Sequence, residues 1–542
     1  MKRLLLPTIA VFFFFVSTAQ SFTSSNLPII VINTNGQTIL DDPKITADMG
    51  IIYNGPGVRN NITDAFNHYN GKIGIEVRGQ SSQMFPMKSY GFELRDNAGN
   101  SQDKILFGLP KESDWILYAP YTDKTLMRNF LAYTMSREMG HWASNCVFVE
   151  VVVIGDYKGI YVFMEKIKKG SGRVNITKIA ATDITGDAVT GGYIFSLDKE
   201  PDGWFSSYVA PNSTTGNKRQ FSYVYPKLEN IVQQQKDYIK SYVDSFENAL
   251  ASPQFQDPLT GVRKFADIPS FIDYFIVNEV SRNVDGYRLS SYFYKDRNSK
   301  NSKIFAGPVW DYDLAFRNAN YCDGSNVNGW AYQFNYVCPG DGAGLIPFWW
   351  NKLMGGDTAF LSQLRCRWKQ LRQTTLSETH FNALIDSVFN LVNEARTRHF
   401  QRWPVLGQYI WPNPNPIPTS YEGEIAALKT WISSRLQWLD NNMPNIGACS
   451  DITPAVTDPV IIAINPNPFS DNGTISITLT NAQSISLDVF DAGGRKLYSK
   501  NYQLLAGLNT INVPSVAWMT GVYFFSFQPS SGERIVRKAI KH

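Results

Sequence analysis

Two carboxylates in residues 307–316, Gly-Pro-Val-Trp-Asp-Tyr-Asp-Leu-Ala-Phe, have a spacing suited to metal chemistry. Asp311 and Asp313 directly follow an apolar run. If that run is a strand, both side chains lie on the same face at its end, because side chains on a strand repeat every second residue. Hard cations such as Mg²⁺ prefer carboxylate oxygens in such an arrangement. The pattern therefore predicts a cation site at a strand end.

A third carboxylate, Asp285, lies upstream in Asn283-Val-Asp-Gly-Tyr287, after an apolar helical segment. A helix, a loop with an Asp, a pair of strands and a metal-binding Asp follow one another in protein kinases, where the first Asp is the catalytic base and the second is a metal ligand. The same order occurs here. Asp285 is therefore the candidate base that accepts the proton of an incoming hydroxyl. The alternative is a turn residue that ends the helix together with Gly286.

The elements that must position these acids can be read from hydrophobic periodicity. Helical spacing and alternation predict a mixed α+β domain over residues 25–447. Its predicted strands are 73–78, 89–94, 147–154, 159–164, 291–294 and 304–309, and its predicted helices are 126–139, 231–250, 268–281 and most of 359–443.

The composition is that of a folded protein of two or three domains. The 542 residues are 43% hydrophobic, and the net charge of +4 gives no electrostatic case for nucleic acid or membrane surfaces. Lys2 and Arg3, the apolar run 4–16 and small residues at 17–19 predict a signal peptide over residues 1–20. The alternative is an N-terminal membrane anchor.

Cysteine and histidine usage excludes several kinds of site. The five cysteines show no C-x-x-C spacing; Cys322 and Cys338 flank a Gly/Asn-rich loop and are the expected disulfide, and the odd count leaves at least one free thiol. No H-E-x-x-H or G-x-S-x-G pattern occurs, which disfavours zinc and serine hydrolases.

Composition changes near residue 450. Residues 448–460 are typical of a linker. Short alternating runs between turn residues then predict a small all-β sandwich over 461–542. This region has no clustered carboxylates and no His before His542, so we do not expect an enzyme there.

The terminal region resembles the type-A sorting domain of the type IX secretion system of Bacteroidota. The resemblance covers 460–542 and rests on Asn465-Pro-Asn-Pro-Phe469, the run 487–497, the run 519–524 and Arg537-Lys538. It implies that the type IX machinery is a partner and that the protein is secreted or held at the outer cell surface. It also implies removal of the sorting domain after export.

The large domain resembles the CotH (spore-coat protein H) kinase family over nearly all of 70–445. The matching blocks, in chain order, are 78–82 with 85–90, 126–130, 157–161 with 165–167, 191–194, 283–291 and 310–316. The resemblance implies an atypical, protein-kinase-like two-lobed domain. It also implies transfer of the ATP γ-phosphate to Ser residues of a protein substrate.

Nucleotide-binding residues are expected in the first half of this domain. Lys88, before the strand 89–94, is the candidate phosphate-pairing lysine; the alternative is a solvated strand-edge lysine. Arg78, Ser81 and Ser82 lie in a turn that could contact phosphate. Glu165 occupies the place where a kinase contacts adenine; the alternative is a surface charge beside Lys166 and Lys168.

The metal-binding residues are expected in the second half. Asp311 is the candidate ligand of Mg²⁺ (or Mn²⁺), and Asp313 is either a second ligand, an orienting group or a capping residue. Kinases place a metal-binding Asn five residues after the catalytic Asp, whereas this chain has Ser290 there. A non-catalytic cell-surface adhesin or scaffold on the same fold is therefore the alternative function.

Overall fold

The computed structural model describes residues 22–199, 202–300, 302–338, 344–447, 449, 461–465, 469, 472–479, 482–492, 494–505, 507–529 and 535–541. The predicted signal peptide at 1–20 and almost all of the predicted linker at 448–460 lie outside these residues. The chain divides into two compact units, Met1–Ile446 and Gly447–His542, and each is described by itself.

The strands of the larger unit form a closed barrel, a five-stranded sheet and a short two-stranded ladder. They are β1 (Ser24–Ser25), β2 (Ile29–Asn33), β3 (Ile45–Ile52), β4 (Asn60–Asn61), β5 (Tyr69–Arg78), β6 (Ser89–Arg95), β7 (Asp114–Tyr118), β8 (Cys146–Val153), β9 (Asp156–Glu165), β10 (Tyr193–Leu197), β11 (Gly203–Val209), β12 (Lys218–Tyr225), β13 (Ser291–Lys295) and β14 (Phe305–Ala306).

The α-helices of this unit are α1 (Arg128–Glu138), α2 (Gln233–Ala251), α3 (Ile268–Ser281), α4 (Trp349–Gly356), α5 (Thr358–Arg372), α6 (Glu378–Leu391), α7 (Asn393–Arg402) and α8 (Tyr421–Asn442). The unit is therefore a mixed α+β fold, as the periodicity predicted.

The barrel runs in the order β2-β3-β5-β6-β7-β9-β8 and closes where β2 pairs parallel to β8. Alternate residues of its strands fill the interior, including Ile73, Phe92, Trp115 and Phe163, each at most 1% exposed. The predicted β8–β9 hairpin is confirmed. A closed barrel leaves only its ends open, so the strand termini are where it can meet a ligand.

Helix α3 carries the chain from the second sheet to the Asp285 loop. Its sequence is largely apolar, and it is buried along almost its whole length, including the polar residues Asp273, Asn278 and Glu279. The Asp267 side chain caps the first turn by accepting a hydrogen bond from the Ser270 amide. The helix ends at Arg282, whose φ of +46° turns the chain out of the helix.

The predicted strand 304–309 is wrong in extent, because β14 covers only Phe305–Ala306. Gly307 has φ +114°, and the next residue, Pro308, has no N–H to donate to a ladder. Asp311 has φ +63°, in the left-handed region. Asp311 and Asp313 therefore lie in a loop, and strand alternation does not set their directions.

The smaller unit is β-rich. Its strands are β15 (Ile461–Asn465), β16 (Asn472–Leu479), β17 (Gln483–Asp491), β18 (Lys496–Leu504), β19 (Gly507–Pro514), β20 (Gly521–Pro529) and β21 (Ile535–Lys541). The sheets β15-β16-β19 and β18-β17-β20-β21 share one core, to which Ile475, Ile477, Leu487 and Phe525 contribute. Across the described residues of both units, no helix has the length and apolarity needed to cross a membrane.

Candidate functional site

A cavity of about 960 Å³ lies where the barrel strands β5, β6, β7 and β9 meet the loops that follow α3 and β14. Seven of the nine residues predicted for the site line it: Arg78, Ser81, Ser82, Asp285, Ser290, Asp311 and Asp313. The structure therefore brings the three acids together with the turn after β5, although more than 200 residues separate them in the chain.

Helix α1 holds the Asp311 loop through side chains that sequence reasoning missed. The Asp311 amide donates to the Tyr133 hydroxyl at 3.1 Å, and the Tyr312 amide donates to Asn129 Oδ1 at 2.6 Å. Arg128 donates through Nε to the carbonyl of Ala315 at 3.1 Å. These buried hydrogen bonds fix the backbone of the loop and keep Asp311 in its left-handed conformation.

Two asparagines complete the frame of the acid loops. Asn283 Nδ2 donates to the Asp311 carbonyl at 3.4 Å, and Asn318 Nδ2 donates to the Asp313 carbonyl at 2.8 Å. Asp311 and Asp313 both line the cavity, and the Asp313 carboxylate also interacts with the Tyr118 hydroxyl.

The Asp285 loop is a tight turn packed against α3. The Leu289 amide donates to the Asp285 carbonyl at 2.9 Å, and the Asp285 amide donates to Asn283 Oδ1 at 3.2 Å. A Cβ added at Gly286 would lie 2.4 Å from Asn278 Oδ1, so only glycine fits beside the helix. The Asn-Val-Asp-Gly sequence therefore sets the position of Asp285.

The three acids form a strongly negative wall of the cavity. Burial, followed by the charge of Asp285, raises the pKa of Asp311 to about 6. Burial and the neighbouring Asp311 and Asp285 carboxylates raise the pKa of Asp313 well above its usual value. Burial also raises the pKa of Asp285, although Arg288 and Lys199 partly oppose it. The mutual repulsion of these groups favours a bound cation.

The barrel side of the cavity carries charges of both signs, because Lys44, Arg78 and Lys166 line it together with Asp41, Asp42, Glu76 and Asp114. Arg78 lies over the Trp310 ring, with Cζ 5.7 Å from the ring centroid, and its charge lowers the pKa of Asp311. Lys44 also lines the cavity, where it pairs with Glu76 at 3.3 Å.

Lys166 and Lys199 add two more cations to this cavity. Desolvation, followed by the charges of Arg78 and Lys44, lowers the pKa of Lys166. Lys166 forms no ion pair with the described residues. Lys199 Nζ lies 3.3 Å from Ser81 Oγ, which places its charge beside the turn after β5. Arg78, Lys166 and Lys199 therefore offer cationic contacts to a polyanion in this cavity, while the three acids attract a cation.

The donor set fits a nucleotide-bound cation better than a cation held by protein alone. Within the part of the chain that the structure describes, no group of three or more His, Cys, Asp or Glu side chains is arranged to hold a metal ion. Mg²⁺ commonly takes one or two carboxylates and completes its shell with water and substrate phosphates. Asp311 and Asp313, in a cavity that basic side chains also line, match that pattern.

Lys88 and Glu165 are the two predicted site residues that the structure does not place in the cavity. The Lys88 ammonium donates to the Gln83 carbonyl. The Glu165 side chain is fully buried and accepts hydrogen bonds from the Asn145 amide and side chain. The alternation of side chains along β9 explains why Glu165 points away from the cavity, because Met164 and Lys166, one residue to either side, line it instead.

A disulfide forms part of the cavity wall. Cys322 and Cys338 are bonded, as predicted, and Cys146 is a free thiol. Arg288 Nη1 lies 3.4 Å from Cys338 Sγ and Nη2 lies 3.8 Å from Cys322 Sγ. The disulfide thus supports the arginine whose charge acts on Asp285.

Most of the cavity residues that were not predicted from the sequence lack a local signal. Asp198 and Lys199 directly follow β10 and reach the cavity because β10 pairs with β13, with Leu197 opposite Ser291. Only the pairing of strands far apart in sequence reveals this placement. For Lys166, strand alternation from Met164 was a usable signal.

Comparison with known families gives two matches. Residues 75–439, more than half of the chain, match the family model described as CotH kinase protein. Residues 463–542 match the model described as secretion system C-terminal sorting domain. A search of curated proteins finds no match.

The sorting domain connects the chain to the type IX secretion machinery and indicates secretion or a cell-surface location. The longer match spans the barrel strands from β5 onward, the Asp285 loop and the Asp311 loop, which together surround the cavity. The chain is thus a member of the CotH kinase protein family.

Proposed function

We propose that this protein is a secreted, atypical protein kinase that transfers the ATP γ-phosphate to Ser residues of a protein substrate. The observation that carries the proposal is the charge arrangement of one cavity. Its acids Asp285, Asp311 and Asp313 line the cavity together with the basic residues Arg78 and Lys166. Such an arrangement suits a triphosphate with its cation, because the acids can hold the cation while the basic side chains contact phosphate oxygens.

In this proposal Asp285 is the general base. Its raised pKa makes the carboxylate a stronger proton acceptor than an exposed Asp. The acceptor serine oxygen forms a bond to the γ-phosphorus as the bond from that phosphorus to the β-phosphate oxygen breaks. The hydroxyl proton passes to Asp285, and ADP leaves with the electron pair of the broken bond.

Asp311 is the proposed cation ligand, and Asp313 is a second ligand or an orienting group. Mg²⁺ or Mn²⁺ bound there would neutralise charge on the β- and γ-phosphates. Arg78, at the end of β5, and Lys199, after β10, would compensate the remaining phosphate charge. Ser81 and Ser82 line the same cavity and offer hydroxyl donors to phosphate oxygens.

The architecture supports a kinase-like, two-lobed organisation. A β-rich part, the barrel, and a largely helical part contribute opposite walls of one cavity. Helix α1 contacts the metal-ligand loop directly, as a kinase helix connects the two lobes. The contact uses Tyr133 and Asn129 in place of a lysine–glutamate pair.

Phosphate transfer from radiolabelled ATP tests the proposal. The wild type is incubated with Mg²⁺ or Mn²⁺ and a Ser-rich acceptor, and self-phosphorylation is recorded in parallel. Asp285→Asn and Asp311→Asn should lower transfer by at least about a hundredfold. Asp202→Asn, a change at an exposed acid that does not line the cavity, is the matched control and should leave transfer unchanged.

Nucleotide binding separates the kinase from a non-catalytic surface scaffold. If the wild type neither binds ATP nor labels any acceptor, and the two variants behave identically to it, the kinase proposal fails. Binding of a cell-surface ligand that survives Asp285→Asn and Asp311→Asn would then favour the scaffold.

A further inference from the structure

Ser290 leaves one position of the proposed nucleotide site without a good cation ligand. It lies five residues after Asp285, where kinases use an asparagine to bind the second metal. Ser290 does line the cavity, but a neutral hydroxyl is a weaker ligand for a hard cation than an amide or carboxylate oxygen. The place that the asparagine would fill must therefore be served from elsewhere.

Strand pairing brings a carboxylate next to that place. Strands β10 and β13 are antiparallel, with Leu197 opposite Ser291, so Asp198 comes beside Ser290. The Ser290 backbone amide lies close enough to hydrogen-bond to the Asp198 carboxylate, and Asp198 lines the same cavity. The charge of Asp198 also acts on both Asp285 and Asp311, so the three carboxylates lie near one another in the cavity.

The charges of Lys199 and Arg219 act on the Asp198 carboxylate, but neither side chain forms an ion pair with it. Among the described residues no ammonium or guanidinium lies within 4.0 Å of its oxygens. The carboxylate accepts a hydrogen bond from the Lys199 amide at 2.8 Å, in addition to that from the Ser290 amide. A carboxylate has about four acceptor positions, so Asp198 retains capacity for a ligand in the cavity.

We propose that Asp198 supplies the oxygen ligand for the second cation, the role that an asparagine at the position of Ser290 has in ordinary kinases. The inference rests on the proposed function, because it assigns a further residue to the same nucleotide site. The ligand would come from the turn after β10 instead of from the Asp285 loop.

The backbone conformation of Ser290 allows a direct test, in which the proposed cation ligand is moved from Asp198 to position 290. Ser290 has φ +48°, in the left-handed region, where Asn is among the best tolerated residues after Gly. Ser290→Asn should therefore fold and present an amide oxygen to the cavity. If Asp198 supplies the ligand, Ser290→Asn should compensate for its loss.

The experiment counts Mn²⁺ by electron paramagnetic resonance on the purified protein saturated with a non-hydrolysable ATP analogue. The wild type should bind two Mn²⁺ per protein. Asp198→Ala should weaken the second Mn²⁺ by about tenfold or more, whereas Asp198→Asn, which keeps one oxygen, should weaken it less. The double variant Asp198→Ala/Ser290→Asn should recover the second Mn²⁺, and Asp202→Ala is the matched control.

The outcomes separate this inference from the proposed function. If the wild type binds the analogue with two Mn²⁺ and Asp198→Ala does the same, the inference is overturned and the kinase proposal stands. If the wild type binds the analogue with one Mn²⁺, the inference is likewise overturned. If the wild type binds neither analogue nor Mn²⁺, both are refuted. Recovery in the double variant supports the inference and excludes misfolding as the cause of the loss.

Discussion

The hydrogen bond from the Asp311 amide to the Tyr133 hydroxyl should control the affinity of the proposed nucleotide site. Tyr133 is fully buried, so Tyr133→Phe removes one oxygen and leaves the ring packing unchanged. The amide of Asp311 then loses its partner, and its left-handed backbone loses a restraint. The perturbation acts on the proposed cation ligand without changing any cavity charge.

The expected magnitude follows from the cost of leaving a buried donor unsatisfied, about 1–3 kcal/mol. A left-handed non-glycine residue stores roughly a further 1–2 kcal/mol that the native contacts must offset. If the loop relaxes to a more extended conformation, binding must restore the original one at a cost of about 1–3 kcal/mol. Since about 1.4 kcal/mol corresponds to tenfold, nucleotide–Mg²⁺ affinity should fall by about 5- to 150-fold.

Isothermal titration calorimetry with a non-hydrolysable ATP analogue and Mg²⁺ measures this change. Tyr193→Phe is the matched control, because the Tyr193 hydroxyl is also buried and donates to the Val189 carbonyl at 2.6 Å, away from the cavity. The control should lose stability but keep its affinity. Wild-type affinity in Tyr133→Phe, or equal losses of affinity in both variants, would refute the reasoning.

Three further predictions follow from individual contacts. Lys166→Met should weaken analogue binding about tenfold in the same titration, whereas Lys88→Met should not, because only Lys166 lines the cavity. Burial lowers the pKa of His399 to about 3 from 6.5, so below pH 6.5 the folded state binds fewer protons than the unfolded state. The free energy of unfolding, measured by denaturant titration, should therefore fall by up to about 1.4 kcal/mol per pH unit as the pH drops below 6.5. His399→Gln should flatten this slope. Replacing Cys322 and Cys338 by Ser opens a loop of sequence separation 16 and should cost about 3 kcal/mol of unfolding free energy in the same assay.

The sequence predicted the elements whose periodicity is local. The helix 268–281 appears as α3 with the same bounds, and the strand 89–94 appears as β6, one residue longer. Apolar spacing sets both, and the Asp267 cap and Pro269 mark the start of the helix. The barrel closure was not predictable in the same way, because β2 and β8 are more than 100 residues apart.

The conformation of the loop that carries Asp311 and Asp313 could not be predicted from the hydrophobic pattern. Alternation of apolar residues favoured a strand up to Val309, whereas Gly307 and Pro308 end the ladder after Ala306. The conformation of Asp311 depends on Tyr133, a residue 178 positions away in the chain. Tertiary hydrogen bonds decide this backbone, and no local rule anticipates them.

Which lysines reach the cavity could not be predicted from local sequence either. Lys88 fitted the sequence pattern because it precedes a strand, but its ammonium is engaged by the Gln83 carbonyl. Lys166 and Lys199 reach the cavity from the ends of β9 and β10, so their role depends on sheet pairing. Site residues on strand ends can be listed from sequence, but which ones converge is a property of topology.

Anomalous X-ray scattering from crystals grown with Mn²⁺ and a non-hydrolysable ATP analogue tests the central claim most directly. The account predicts a Mn²⁺ peak about 2.0–2.3 Å from a carboxylate oxygen of Asp311, with the analogue's phosphates between that peak and Arg78. It also predicts that the γ-phosphate faces Asp285. An analogue bound elsewhere, or a cavity without Mn²⁺ at Asp311, would contradict it.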